Sequence, residues 1–444
     1  MNLSRRGAVA GMLATAMMPC AVPAQDHLRT LTGAYNASGQ DLSKSFSATP
    51  GNIVFSPYSI GTAMAMVLAG ARGETELQMA GVLRHALARD DVADANARVL
   101  AILNGYDKTK ALPVCPEGMQ LAGPRCEMQR SSDARCPPRT PLEDALCFAT
   151  PERLPSAKVA VANALVLTRK DASVSSDFVA LVKDKFAAEL FQDAGLAEIN
   201  EFVAARTEGR IERILDQLDE SSAAVLLNAV YFKAAWASAF SKESTREEPF
   251  SLTASQRVSV PMMHKRVTVP LVARTGYRAV RLPYVVGSLG MIVVLPDAVD
   301  GIAKVGASID ATELAALFET LRMSEPKSVS LALPRFKVTY KADLLLPLRS
   351  AGMTLAFDPT QADFSGMTGA AAGGRVAIGQ VVHRAVIEVQ EEGTEAAAAT
   401  AAVMVLTSAP SNQGTFRVDR PFLYYMVDDA TGAILFQGRV VDPR

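Results

Sequence analysis

Apolar positions recur at helical spacing over residues 27–47, through Leu28, Leu31, Tyr35, Leu42 and Phe46, and predict an amphipathic helix. From Asn52 to Thr75 a short strand is expected to end at Ser56. Pro57 then takes a first helical position and a buried helix runs to Ala69. Further helices are expected to about His85 and over 91–105. A strand follows at Lys158–Leu167 and an amphipathic helix at Ser176–Leu190. Ala223 to Trp236 is apolar on both faces with Asn228 in its middle, the pattern of a covered central strand. Strands are also expected at Val258–Met263, Gly290–Leu295, Ser328–Tyr340 and Val376–Val389, with helices near 310–322 and 342–351. Phe416–Asp442 reads as two strands around a turn at Asp429–Gly432. Helices and strands neither alternate regularly nor segregate, so the fold class is α+β.

Residues 106–155 break this pattern, with frequent Pro, Gly and Arg and no apolar period, and read as a solvated loop. Cys115, Cys126, Cys136 and Cys147 all fall here, spaced by 11, 10 and 11. In an exported protein such a set predicts two disulfides with the pairing open; a zinc site is the alternative, weakened by the lack of a C-x-x-C pair.

One stretch has two readings. In V-I-E-V-Q-E-E-G-T-E-A-A-A-A-T-A-A-V-M-V-L-T-S-A-P, residues 386–410, Ala396–Ala402 looks like a helix by propensity. Counted in twos, Thr394, Ala396, Ala398, Thr400, Ala402, Met404 and Leu406 form one uncharged face, with Glu395 on the other. A segment this small and two-faced suits a conformational switch by strand insertion.

The run Glu391, Glu392, Gly393, Thr394, Glu395, Ala396, Ala397, Ala398, Ala399, Thr400 resembles the reactive-loop hinge of inhibitory serpins. Asn52–Thr75 resembles the helix beneath the family's moving sheet, and R-P-F-L-Y-Y-M with L-F-Q-G-R-V-V-D-P resembles its C-terminus. The resemblance covers most of residues 27–444 and implies the serpin fold: three β-sheets, about nine helices and an exposed reactive-centre loop. Residues 25–444 are then one domain, 391–415 its hinge and loop, and 106–155 an insertion the family does not explain. By motif, Ser56, Ser59, Asn228 and His383 match the polar "shutter" under the central sheet, and Trp236 the "breach" where the loop enters. The bulky, charged or proline residues that non-inhibitory relatives place there are absent from Gly393, Thr394 and Ala396–Ala399. The resemblance therefore implies suicide inhibition of a serine protease held as a covalent acyl complex. Family spacing puts the reactive bond fourteen residues after Gly393, at Thr407–Ser408, with Leu406–Thr407 and Met404–Val405 as alternatives. All are neutral, which suits elastase-, subtilisin- or chymotrypsin-type proteases. A non-inhibitory binding protein or chaperone on the same fold is the competing expectation.

Composition narrows this further. Lys+Arg at 45 against Asp+Glu at 46 points to no nucleic-acid partner. The four histidines are His27, His85, His264 and His383, and no G-x-S-x-G, H-E-x-x-H or phosphate loop occurs, so neither an enzyme, a metal nor a cofactor is implied. Ser324 and Lys327 have only the spacing of an S-x-x-K hydrolase. Arg5 and Arg6, the apolar Ala8–Met18 and Val22-Pro23-Ala24 read as a secretory signal over 1–24, whose apolar run is too short for a membrane span of about 20 residues. A secreted or periplasmic monomer is expected.

Overall fold

The structure is a computed structural model that describes residues 24–106, 113–114, 120–122, 125–129, 142–143, 146–149, 152–153, 157–168, 174–218, 222–368, 376–394 and 413–444. Ten α-helices and three large sheets, the α+β mixture expected, are seen among them. None of these helices is long and apolar enough to cross a membrane.

The helix Pro57–Gly70 is the hub. Ser56 caps its first turn by accepting from the Ser59 amide, Pro57 fills the first position, and every residue of the helix is buried. The helix Ala24–Ser45 packs beside it, burying Leu28, Leu31, Tyr35 and Leu42, the face that the sequence spacing picks out.

A six-stranded sheet lies over this hub in the order Phe336–Asp343, Ile378–Val389, Gly393–Thr394, Ala224–Ala235, Lys158–Leu167, Glu189–Gln192. Its other face is covered by the helix Leu196–Arg206 and the segment after it, through Ile199, Val203, Ile211, Ile214 and Leu215. Covering on both sides explains why Ala224–Ala235 is apolar throughout. A second six-stranded sheet contains Ile53–Phe55, Ala433–Val440, Phe422–Asp428, Leu289–Pro296, Tyr277–Pro283 and Leu271–Arg274. The third holds Arg246–Ser251, Arg257–Val269, Lys327–Pro334 and Gln413–Arg417.

Three expectations need correction. The run Ser328–Tyr340 is two strands, Lys327–Pro334 and Phe336–Asp343, in different sheets. The chain changes sheets at Arg335, whose amide donates to Pro261 O at 2.9 Å. The helix read to Leu190 ends at Phe186, because Ala187 adopts φ 47°, and Glu189–Gln192 is a strand. The 106–155 segment contains short strands rather than loop alone: Pro113–Val114 pairs with Glu152–Arg153, and Gln120–Ala122, Arg125–Gln129, Leu146–Ala149 and Leu142–Glu143 form a small sheet. Pairs of two to five residues use backbone bonds and need no apolar period, so the sequence pattern hides them. Its register sets Cys126 opposite Ala149 and Cys147 opposite Met128. Cys115, Cys136 and the signal-like residues 1–23 lie outside the described residues.

Candidate functional site

The central sheet has one unusual junction. Ala224–Tyr231 pairs parallel with Ile378–Val386, although each strand pairs antiparallel with its outer neighbour. Just above this junction the chain turns back on itself. Gln390 and Gly393 exchange backbone bonds of 2.9 and 3.3 Å, and Gly393–Thr394 enters between the two strands, antiparallel to both. Thr394 faces Ala234 on one side and Val389 on the other.

Glycine is required at this entrance. A Cβ at Gly393 would come within 2.2 Å of Ala234 O. Thr394 is fully buried, and its hydroxyl shares a 2.7 Å hydrogen bond with that of Tyr284. Tyr284 stacks on Trp236 at 4.5 Å and 7°. Trp236 donates from Nε1 to Gln390 O and from its backbone amide to Glu392 O, both at 3.0 Å. The sequence-predicted breach residue therefore grips the hinge turn directly. Lys265 lies 4.2 Å from the centre of the Phe240 ring, beside the same cluster, and burial pushes its amine down to about 7.

The acidic doublet before the glycine is held in two ways. Glu391 is 1% exposed, with Arg335 Nε 2.8 Å from both its oxygens and the Thr245 hydroxyl donating at 2.6 Å. Burial alone would raise its pKa, but the bonds from Arg335 and Thr245 outweigh this and hold it below the usual carboxylate value. Glu392 pairs with Lys242 at 2.5 Å. Glu395, Ala396, Ala397, Ala398, Ala399, Thr400, Leu406, Thr407 and Ser408 lie outside the described residues.

Lower in the same junction, register places Ala342, His383, Asn228 and Asn163 in one row across four strands. His383 Nδ1 stands 2.5 Å from Asn228 Oδ1 and Nε2 accepts from the Ser56 amide at 3.3 Å, so the ring is neutral with its proton on Nδ1. Burial pushes that imidazole down to about 3. The Asn228 amide nitrogen donates to Ser59 Oγ at 2.5 Å, Ser59 O at 3.0 Å and Asn163 Oδ1 at 2.5 Å. All four sequence-predicted residues meet here, Ser56 through its backbone. Asn163 was missed, although it carries the same signal as Asn228, a lone amide inside an apolar strand. The row therefore bridges the parallel junction by side chains and ties it to the hub helix.

The S-x-x-K pair forms no dyad: Ser324 donates its hydroxyl to Thr320 O at 2.6 Å at a helix end.

Residues 34–117 and 142–443 match the family model described as Serpin (serine protease inhibitor). An uncharacterized serpin-like protein of Thermococcus kodakarensis is 32% identical over 427 residues, covering 94% of this chain and 86% of that protein. The leukocyte elastase inhibitor of Equus caballus is 30% identical over 410 residues, covering 88% and 93%. Among solved structures, human thyroxine-binding globulin with thyroxine aligns with TM-score 0.74 at 23% identity, covering 94% of this chain and 99% of that one. The thermophilic serpin tengpin in its native state aligns with TM-score 0.72 at 24% identity, covering 92% and 94%. These two likenesses concern the fold alone.

Proposed function

The chain belongs to the serpin family, and we propose that it inhibits serine proteases by offering the loop after Thr394 as bait and inserting its residues up to the cut into its central sheet. The parallel junction with Gly393–Thr394 lodged at its top carries this reading. Parallel pairing is slightly less stable than antiparallel. A strand entering from Thr394 would replace one parallel ladder with two antiparallel ones, and that gain drives the reaction.

Register says which residues would meet. Six residues beyond the Thr394 pairs with Ala234 and Val389, Thr400 comes level with Asn228 and His383. Thr394, Ala396, Ala398, Thr400 and Ala402 would then face the hub helix, where only small side chains fit. Glu395 would face outward between Lys233 and Glu388, where Lys233 offsets its charge.

The protease serine attacks the carbonyl of the residue before the cut, which we place at Thr407–Ser408. The peptide C–N bond breaks, the new amine leaves on Ser408, and an ester joins Thr407 to the enzyme. Insertion of the thirteen residues 395–407 beyond the seated Thr394, at about 3.3 Å each, then carries the enzyme about 43 Å and deforms its site before water attacks the ester. The inhibitor supplies no catalytic group. The neutral residues around the bond suit elastase-, subtilisin- or chymotrypsin-type enzymes.

The test is to mix the protein with elastase, subtilisin, chymotrypsin and trypsin and look for a detergent- and boiling-stable band of summed mass. A released peptide beginning at Ser408 would support the assigned bond. Cleavage by every enzyme without a covalent band would replace this reading by a non-inhibitory binding protein. We further propose export after cleavage near Ala24 and two disulfides within 106–155. N-terminal sequencing at another start, or four free thiols in the exported protein, would overturn these.

A further inference from the structure

A cavity of about 560 Å³ opens between the helix Ala24–Ser45, the first turn of Pro57–Gly70, the end of Gly73–Val82 and the turn after Leu345–Ser350. That volume suits a small organic ligand. No lining residue belongs to the hinge or to the His383 row. Its floor is apolar, with Leu42, Pro57, Ile60, Leu83 and Leu348 all buried. Gly81 contributes no side chain, and a Cβ added there would meet open space.

The charged lining residues Arg84 and Asp41 pair at 2.8 Å, and Lys44, just outside the lining, adds a second cation 3.4 Å from the same carboxylate, so the trio retains one net positive charge. Arg84 spends Nε and Nη2 on Asp41, and Nη1 is not used in that pair.

We propose that this cavity binds a small amphipathic monocarboxylate, with a medium-length alkyl or arylalkyl chain on the floor and the carboxylate at Arg84 and Lys44. An alkyl or aryl body finds apolar packing partners on the floor, and a single negative charge balances the trio. The occupant would also brace the turn that presents Ser56 to His383, because the Ile60 amide donates to Ser56 O at 3.0 Å. The site is independent of the inhibitory reading and needs no protease to test.

Sodium decanoate is the probe, titrated calorimetrically into the folded chain. Saturable binding tighter than about 1 mM is expected, with a rise in the thermal midpoint because only the folded state binds. Decan-1-ol should bind about tenfold more weakly. Gly81→Phe fills the cavity and should abolish decanoate binding. Arg84→Gly keeps the backbone at φ 59° permissible and should weaken decanoate about tenfold without affecting decanol. Absence of saturable binding, equal affinity for acid and alcohol, or decanoate binding unchanged in Arg84→Gly would each overturn the proposal, whether or not Gly81→Phe folds.

Discussion

Arg335 clasps the buried carboxylate of Glu391 where one chain segment crosses between two sheets and another turns into the hinge. Both oxygens are engaged, so removing the guanidinium leaves a buried anion without its only cationic partner, served by Thr245 and a backbone amide. Arg335→Ala should destabilise the uncleaved protein by about 1–3 kcal/mol, held to that range because Arg335 is itself 42% exposed. Denaturant unfolding measures this. A midpoint equal to that of the unmodified chain would mean the pair is idle.

Gly393 meets Ala234 O so closely that any side chain must lift the hinge out of the sheet. Trp236 is the single tryptophan, and its Nε1 bond to Gln390 O depends on the hinge being seated. Gly393→Ala should therefore shift Trp236 fluorescence toward a wetter environment in the uncleaved protein. Emission identical to the parent would show that the entrance absorbs a methyl group.

Much of this arrangement was legible beforehand because its residues violate their surroundings. Asn228 and His383 are polar inside apolar strands, and a small uncharged run follows an acidic doublet. Asn163, a lone amide in the apolar strand Lys158–Leu167, obeys the same rule. The Arg335–Glu391 pair was not legible: the apolar positions slip from Val329, Leu331 and Leu333 to Phe336, Val338 and Tyr340 across Pro334–Arg335, which marks a break but not the partner on its far side. Which partners a strand finds is a long-range choice that local alternation does not encode.

Thr394 is fully buried with its hydroxyl on Tyr284, so an arginine there would place a charge among Trp236, Tyr284 and Phe232. Thr394→Arg should slow insertion while leaving the bait bond open to attack. The number of inhibitor molecules consumed per protease should rise several-fold, and most should be released cleaved. An unchanged stoichiometry would remove strand insertion from the mechanism.

His383 ties stability to pH. Its folded pKa of about 3 lies below the unfolded value of about 6.5, so the unfolded chain takes up a proton first as pH falls. The stabilisation is complete above about 6.5 and is lost progressively from there down to about 3. His85, lowered to about 4 by burial, acts in the same direction. His383→Gln should lose the share of the acid slope due to His383 and retain those of His85 and of depressed carboxylates such as Glu391. Parallel stability–pH curves for the two proteins would show that His383 is not the group responsible.

Thr400 makes the last prediction, because register carries it into the row of Asn228 and His383 only after insertion. Separating those two residues breaks the 2.5 Å bond between His383 Nδ1 and Asn228 Oδ1 and leaves two buried polar atoms to satisfy. A threonine hydroxyl both donates and accepts, so it can serve the pair from between them. Thr400→Val keeps the shape and strand propensity but removes the hydroxyl. The cleaved form should lose about 1–3 kcal/mol while the uncleaved form stays unchanged, so the stability gained on cleavage shrinks. Urea unfolding of both forms measures the difference. Equal losses in the two forms, or none in the cleaved one, would mean that the inserted strand adopts another register.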